Sequence, residues 1–448
     1  MKKNILALLL MASPLFAQEA KRESIALTVY NSNLGVVRDV RLFDLKKGQS
    51  EVKLLDVPSR IDPTTVKITA LKHPKDIGIL EQNFEYDLVN QEKLLEKYID
   101  KQITLTDDKG NRTDGTLLSS SGSQITLSSP TGILMFPNTN QYRISVPNLP
   151  EGLITKPTLI WNVKSNSALN QEPLEVLYQT QGISWHAEYI VALADDDKSL
   201  DLTGWVSIDN KCGATFENAK LKLVAGKLNR VPPPGYAGNF AITPGLMGEM
   251  DAKSFQERGL FEYHIYDLGR TTTIKDNEVK QLSLLEASKV KSEKTYTYRG
   301  QRNAEVTIKF ENTEKNNMGM PLPEGIVRVM KKDKDGSFEF VGEDRIEHTP
   351  RDEKITLKVG DAFDLLGEKT VTDSKSTSHS SRETIQITLK NRKDEDVTID
   401  ALEDVGESWE IIKSSMDYEK KSSSEIIFHV PVKARSEQKV EYTILHTW

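Results

Sequence analysis

The chain has 448 residues, with 59 Lys and Arg against 66 Asp and Glu, a formal net charge of −7. That length holds about two to four domains, and the acidic balance argues against a nucleic-acid partner, whose phosphate contacts need a basic face. Hydrophobic residues make up 37% of the chain, enough for real cores, and the single cysteine rules out an intrachain disulfide framework and a cysteine-cluster metal site.

Met1, Lys2 and Lys3 form a charged start, and Ile5 to Ala12 is a short apolar run. Pro14 breaks the run, and Leu15-Phe16-Ala17 is an acceptable cleavage site. This order predicts a bacterial secretory signal peptide over residues 1–17 rather than a membrane span, for which the run is too short. No cysteine follows the run to carry a lipid anchor. Cleavage leaves a mature charge of −9 and no further stretch apolar enough to cross a membrane. The expected location is the periplasm or the cell surface.

Residues 18–83 read as an N-terminal β-region. Ser24 to Tyr30, Leu34 to Leu42 and Val52 to Leu55 alternate with period two, and Gly48, Pro58, Pro63 and Pro74 punctuate them. The pattern changes over residues 84–147. Asn90 can cap a helix through Lys101, with Leu94/Tyr98 and Leu95/Ile99 paired on one face. Short strands follow at 103–105, 115–118, 124–127 and 132–136, predicting a small SH3-like or Sm-like barrel inserted between larger β units.

Residues 148–380 form a central β-sandwich region and residues 381–448 a C-terminal Ig-like sandwich. A signature recurs here. Leu202, Val206 and Ile208 lead to Asn210; Val306, Ile308 and Phe310 lead to Asn312; Ile385, Ile387 and Leu389 lead to Asn391. The asparagines are 102 and 79 residues apart, about one sandwich module each. Asn suits a corner that needs left-handed backbone. The fold class expected is all-β, a multi-module antiparallel sandwich with one short helix and one small barrel. Two stretches leave the framework. Val231 to Met250, rich in Pro and Gly, predicts a mobile loop or a flap carrying Tyr236, Phe240, Leu246 and Met247. Asp373 to Arg382 is polar and predicts a loop or hairpin tip.

Few residues suggest chemistry. Cys212 lies just past a strand with no base nearby except Lys211, which fits a small turn residue better than a nucleophile. None of the seven histidines has a paired metal spacing, and His264 fits an exposed strand face. The densest polar cluster runs from Gly342 to Glu353. Its Asp344, Arg345 and His348 supply acid, cation and base types and form the candidate polar site. Strand alternation would place Asp344 and His348 on one face, as a clasp between modules, with Arg345 opposite. The usual nucleophile motifs are absent, and no catalytic, cofactor-binding or metal-binding set is expected.

Several stretches together resemble a known family: Asp201 to Trp205, Asn218 to Gly226, Phe261 to His264, Asp276-Asn277 with Lys280-Gln281-Leu282, and Met320 to Gly325. Gly342 to Asp344, His348 to Pro350, Gly360 to Asp364 and the terminal strand to Trp448 complete the set. Over about residues 155–448 the chain is similar to bacterial proteins that carry domain of unknown function 4139. Val29-Tyr30-Asn31, Asp56 to Pro58 and Ile61 to Pro63 resemble the β-region that accompanies it. The resemblance implies an exported, β-rich envelope protein with no established reaction. Some relatives carry a long coiled coil where this chain has the helix and barrel. The expected function is non-enzymatic, binding another envelope protein or a surface glycan, or purely structural. The other open reading is a periplasmic hydrolase around Asp344 and His348.

Overall fold

The computed structural model describes residues 20–150, 152–226, 228–229, 255–260 and 263–448. The predicted signal peptide at 1–17 and the predicted flap at Pro232 to Met250 lie outside the described residues. The rest is almost entirely strand, in several sheets, with one α-helix among the described residues.

In chain order the N-terminal strands are β1 (Lys21–Tyr30), β2 (Leu34–Leu45), β3 (Gly48–Leu55), β4 (Ile61–Ala70) and β5 (Ile77–Glu85). Helix α1 (Gln91–Lys97) precedes β6 (Gln102–Thr106), β7 (Arg112–Ser121), β8 (Gln124–Ser129), β9 (Gly132–Phe136) and β10 (Arg143–Ser145). The central strands are β11 (Thr158–Ser165), β12 (Leu169–Thr180), β13 (Ile183–Leu193), β14 (Ser199–Asn210), β15 (Phe216–Ala225), β16 (Gln256–Leu260), β17 (Tyr263–Ile274), β18 (Glu278–Tyr298) and β19 (Asn303–Glu311). Then come β20 (Gly325–Lys332), β21 (Phe338–Ile346), β22 (Lys354–Ser376), β23 (Ser380–Asn391) and β24 (Val397–Asp404). The last four are β25 (Trp409–Ser414), β26 (Glu419–Lys420), β27 (Glu425–Val432) and β28 (Glu437–Thr447).

The helix and β6 to β10 stand as a unit with their own small core of Leu95, Tyr98, Ile103, Leu105, Leu117, Ile125 and Leu127. Its sheet is antiparallel in the order β10-β6-β7-β8-β9. The Asn90 side chain accepts from Lys93 N at 2.9 Å, the predicted cap. The helix stops at Lys97 rather than Lys101. Asp100 takes a left-handed φ of 64° and its N–H turns to the Leu117 carbonyl, so that turn joins the strands.

The segments read from sequence as 18–83 and 148–380 share one core. A seven-stranded sheet runs β16-β17-β15-β1-β2-β12-β4, and a three-stranded sheet runs β3-β11-β5. β1 pairs in parallel with β15, Ala26 opposite Lys220. A thirteen-stranded sheet carries β21-β20-β13-β14-β18-β19-β22-β23-β28-β25, with β24, β26 and β27 attached beside that path. It serves two cores. Leu282, Leu284 and Val290 of β18 pack in the large core, whereas Tyr296 and Tyr298 of the same strand pack in the C-terminal one. β22 does likewise, with Ile355 and Leu357 in the first and Ala362 and Leu365 in the second. The C-terminal sandwich therefore draws on residues ahead of 381, and the two cores are joined by continuous strands. The polar stretch from Asp373 to Arg382 is the end of the β22–β23 hairpin, still laddered from Asp373/Thr384 to Ser376/Ser381.

The three recurrent asparagines are buried and do one job, though not the predicted one. None has positive φ. Each uses its side-chain amide to tie loop backbone. Asn210 donates to Ala214 O and Lys275 O and accepts from Cys212 N. Asn312 donates to Met320 O and Pro350 O and accepts from Gly319 N. Asn391 donates to Glu395 O, Val432 O and Lys433 O and accepts from Lys393 N.

Candidate functional site

β13 alternates strictly. Ile183, Trp185, Ala187, Tyr189, Val191 and Leu193 are buried, so Ser184, His186, Glu188 and Ile190 point outward. The ladder sets the neighbours on that outer face. His186 lies opposite Ser207 and Glu188 opposite Trp205 on β14, and Ser207 lies opposite Gln281 on β18. On the other side Glu188 lies opposite Ile326 of β20, which lies opposite Arg345 of β21. β20 closes on β13 at Gly325, where a Cβ would sit 2.3 Å from the Ala187 carbonyl oxygen. All of these but Trp205, with Asn31, Glu324 and His348 at one end, line a groove of about 400 Å³.

Glu188 is the hub. Its carboxylate accepts from Ser207 Oγ at 2.8 Å, Arg328 Nη1 at 3.2 Å and Gln281 Nε2 at 3.4 Å, and His186 Nε2 lies 3.9 Å away. Burial pushes this carboxyl up, but the Ser207 hydroxyl and the Arg328 guanidinium more than offset it and hold it below the usual carboxylate range. Ser207 Oγ and Glu188 thus stand at the hydrogen-bond distance of a hydroxyl and a base, with Gln281 Nε2 donating to both. At the groove end His348 Nδ1 accepts from Glu324 N at 3.1 Å, which leaves its proton on Nε2, 3.9 Å from Glu324 Oε1. Asn31 Nδ2 donates to the same carboxylate oxygen at 3.3 Å. Arg345 is exposed, and its guanidinium has no hydrogen-bond or ion-pair partner among the described residues.

The candidate triplet is therefore split. Arg345 and His348 both reach the groove, whereas Asp344 faces away from it. Asp344 Oδ2 accepts from Lys358 N of β22 at 2.7 Å and Oδ1 from Arg345 N at 2.8 Å. β22 comes this close at Gly342, where a Cβ would lie 1.9 Å from Val359 O. The expectation that Asp344 and His348 share a face is corrected, because β21 ends at Ile346 and alternation does not carry on. Thr349 bridges back to Leu322 and turns His348 toward Glu324. Asp344 still links two strands, but not through His348. A double-mutant cycle on Asp344→Ala and His348→Ala, read by urea unfolding, should give a coupling energy indistinguishable from zero, with each single change below about 1 kcal/mol.

The remaining sequence candidates carry no site. Cys212 is buried, its thiol pushed up to about 12 first of all by desolvation, which makes it inert. His264 pairs with Glu257 across strands at 2.8 Å. Among the described residues no group of three His, Cys, Asp or Glu is placed to hold a metal ion, and no helix is long and apolar enough to cross a membrane. A wider cleft of about 1230 Å³ lies beside both cores, and its Asp197 is bound by Lys294 and Lys331.

Sequence reasoning missed Glu188 and Arg328, which sit at outward strand positions that any polar residue could fill. Gln281, Glu324 and Asn31 stand at sequence positions that no catalytic or metal-binding spacing singles out. No protein-family model matches this chain, and no curated protein matches it.

Proposed function

We propose that this is an exported bacterial envelope protein of the domain-of-unknown-function-4139 type. In this reading it binds another envelope component, a protein or a surface glycan, in the outer-face groove and catalyses no reaction. The observation that carries the reading is convergence. Asn31, Gln281, Glu324 and His348 come from four separate stretches behind the resemblance, and all four line one groove. Trp205, from a fifth, is Glu188's neighbour on the same sheet face. A groove whose polar groups are mostly bound to one another is pre-organised for recognition. The hydrolase reading loses support because Asp344 lies on the far side of β21 from His348.

Export predicts that the native protein begins at Gln18, which mass spectrometry reads directly. Binding predicts that the mature chain retains a component from envelope extract and that Ile326→Glu, which puts a charge on the groove surface, abolishes retention with the melting temperature kept. Equal retention by Ile326→Glu would place binding elsewhere on the protein.

A further inference from the structure

We infer that two copies of this chain pair edge to edge through β9, an edge strand of the small barrel, in an antiparallel two-fold dimer. The inference starts from a difference among the sheet edges. An edge strand presents unpaired N–H and C=O groups, and folded proteins guard it with charge, proline or cover. Among the described residues β3, β4, β5, β9, β10, β16, β21 and β25 end the paths of the four sheets. All of them but β9 carry at least one charged side chain, such as the exposed Lys67 of β4 and Lys413 of β25. β9, Gly132-Ile133-Leu134-Met135-Phe136, has none, and it pairs only with β8. The lack of charge extends beyond the strand. Residues 115–142 contain no Asp, Glu, Lys or Arg, in a chain that is 28% charged. On one face of β9 Ile133 is 63% exposed and Met135 77%.

Self-complementarity names the occupant. An uncharged strand offers a charged partner strand no ion pair, whereas an identical strand meets it with no like charges opposed, although each whole chain carries a formal −7. A two-fold axis at Leu134 sets Leu134 opposite its copy and Ile133 opposite Met135, so the outward side chains of both copies cover one another. Pro130 and Pro137, which cannot donate to a ladder, stand just outside the five paired residues and bound the match. β10, the other edge of the barrel sheet, is three residues long and carries Arg143. A head-to-tail contact of β9 with β10, which would grow into rings or fibres, is therefore disfavoured against the closed pair. Five residues a side bury less than the about 800 Å² per partner of a standard interface, so the dimer is weak and depends on concentration.

The test is sedimentation velocity of the mature chain from about 1 μM to about 1 mM, the span over which a small interface dissociates. The parent should pass from monomer to dimer and no further. Met135→Lys gives β9 the kind of charge that the other edges carry. At so exposed a position it should keep the melting temperature and weaken dimerisation at least tenfold. Ile412→Lys, equally an exposed apolar position but on the charged edge strand β25, should change nothing. Register is read by mixing Ile133→Cys with Met135→Cys chains under oxidation, Cys212 being buried. Disulfides should join unlike chains, because directly opposed positions lie about 5 Å apart and diagonal ones about 7–8 Å. A monomer throughout, a dimer insensitive to Met135→Lys, equal loss on Ile412→Lys, assembly past the dimer, or disulfides that favour like chains would each overturn the inference.

Discussion

Replacing Asp39 by alanine should destabilise the protein by about 3–5 kcal/mol, the cost of breaking a buried ion pair from one side. Asp39 is fully buried in β2 and Arg41 is 2% exposed. Arg41 Nε donates to Asp39 Oδ2 at 2.9 Å, and Arg22 donates from Nε and Nη2 to the two carboxylate oxygens at 3.1 Å each. Arg41 Nη1 spans to the Leu55 carbonyl at 2.9 Å, tying β2 to the end of β3 in the neighbouring sheet. Without Asp39 the Arg41 guanidinium would remain in the core beside Tyr178, with one backbone carbonyl as its main acceptor. Arg41→Leu added to Asp39→Ala should restore much of the loss, because the orphaned charge is gone. Urea unfolding measures both. A loss under about 1 kcal/mol for Asp39→Ala would show that water reaches Arg41.

The second large effect is expected at Asn391. Its side chain makes four hydrogen bonds to backbone atoms of two loops, and the residue is fully buried. Asn391→Ala leaves three carbonyls and one N–H without that partner, at about 1–3 kcal/mol for each that water cannot reach. With part of this recovered by loop relaxation, the net loss should be about 3 kcal/mol. Asn391→Asp keeps the acceptor for Lys393 N but turns a carboxylate toward three carbonyls, so it should be no better than alanine. Thermal unfolding of both variants checks this. A loss below about 1 kcal/mol would mean that the loops hold without the amide.

The asparagines also show how far the sequence could be read. Their position after an alternating strand was visible at all three sites. Their reason was not, because it lies in the loops they bind: Asn391 holds Val432 and Lys433, which no local pattern connects to it. Alternation made β1 legible from Ser24 to Tyr30, and β14, β19 and β23 legible as far as their asparagines. It could not say that β20 would lie beside β13 in parallel, or that β1 would lie beside β15, since the partner of a strand leaves no mark within that strand. The candidate site was half legible for the same reason. Arg345 and His348 were found by composition, but Glu188 and Arg328 join them only through the pairing of β13 with β20. Asp344 was misplaced because where β21 ends is decided by the Thr349–Leu322 bridge, outside the strand.

The pairing of β1 with β15 has a consequence in time. Leu27 and Val29 of β1 are fully buried, and their strand has β2 on one side and β15 on the other. A ribosome adds about 5–20 residues per second, so the interval between making Tyr30 and making Val224 is about 10–40 seconds. Throughout that interval the first hairpin has an apolar strand with an open edge and no native partner yet in existence, while the helix-and-barrel unit between them gains the last buried residue of its own core, Leu127, about halfway through. The nascent chain is from then on a finished small module next to an exposed strand seeking a mate. Whatever handles this protein before residue 225 appears must shield that edge, and fragments ending in the barrel should aggregate through β1 rather than fold.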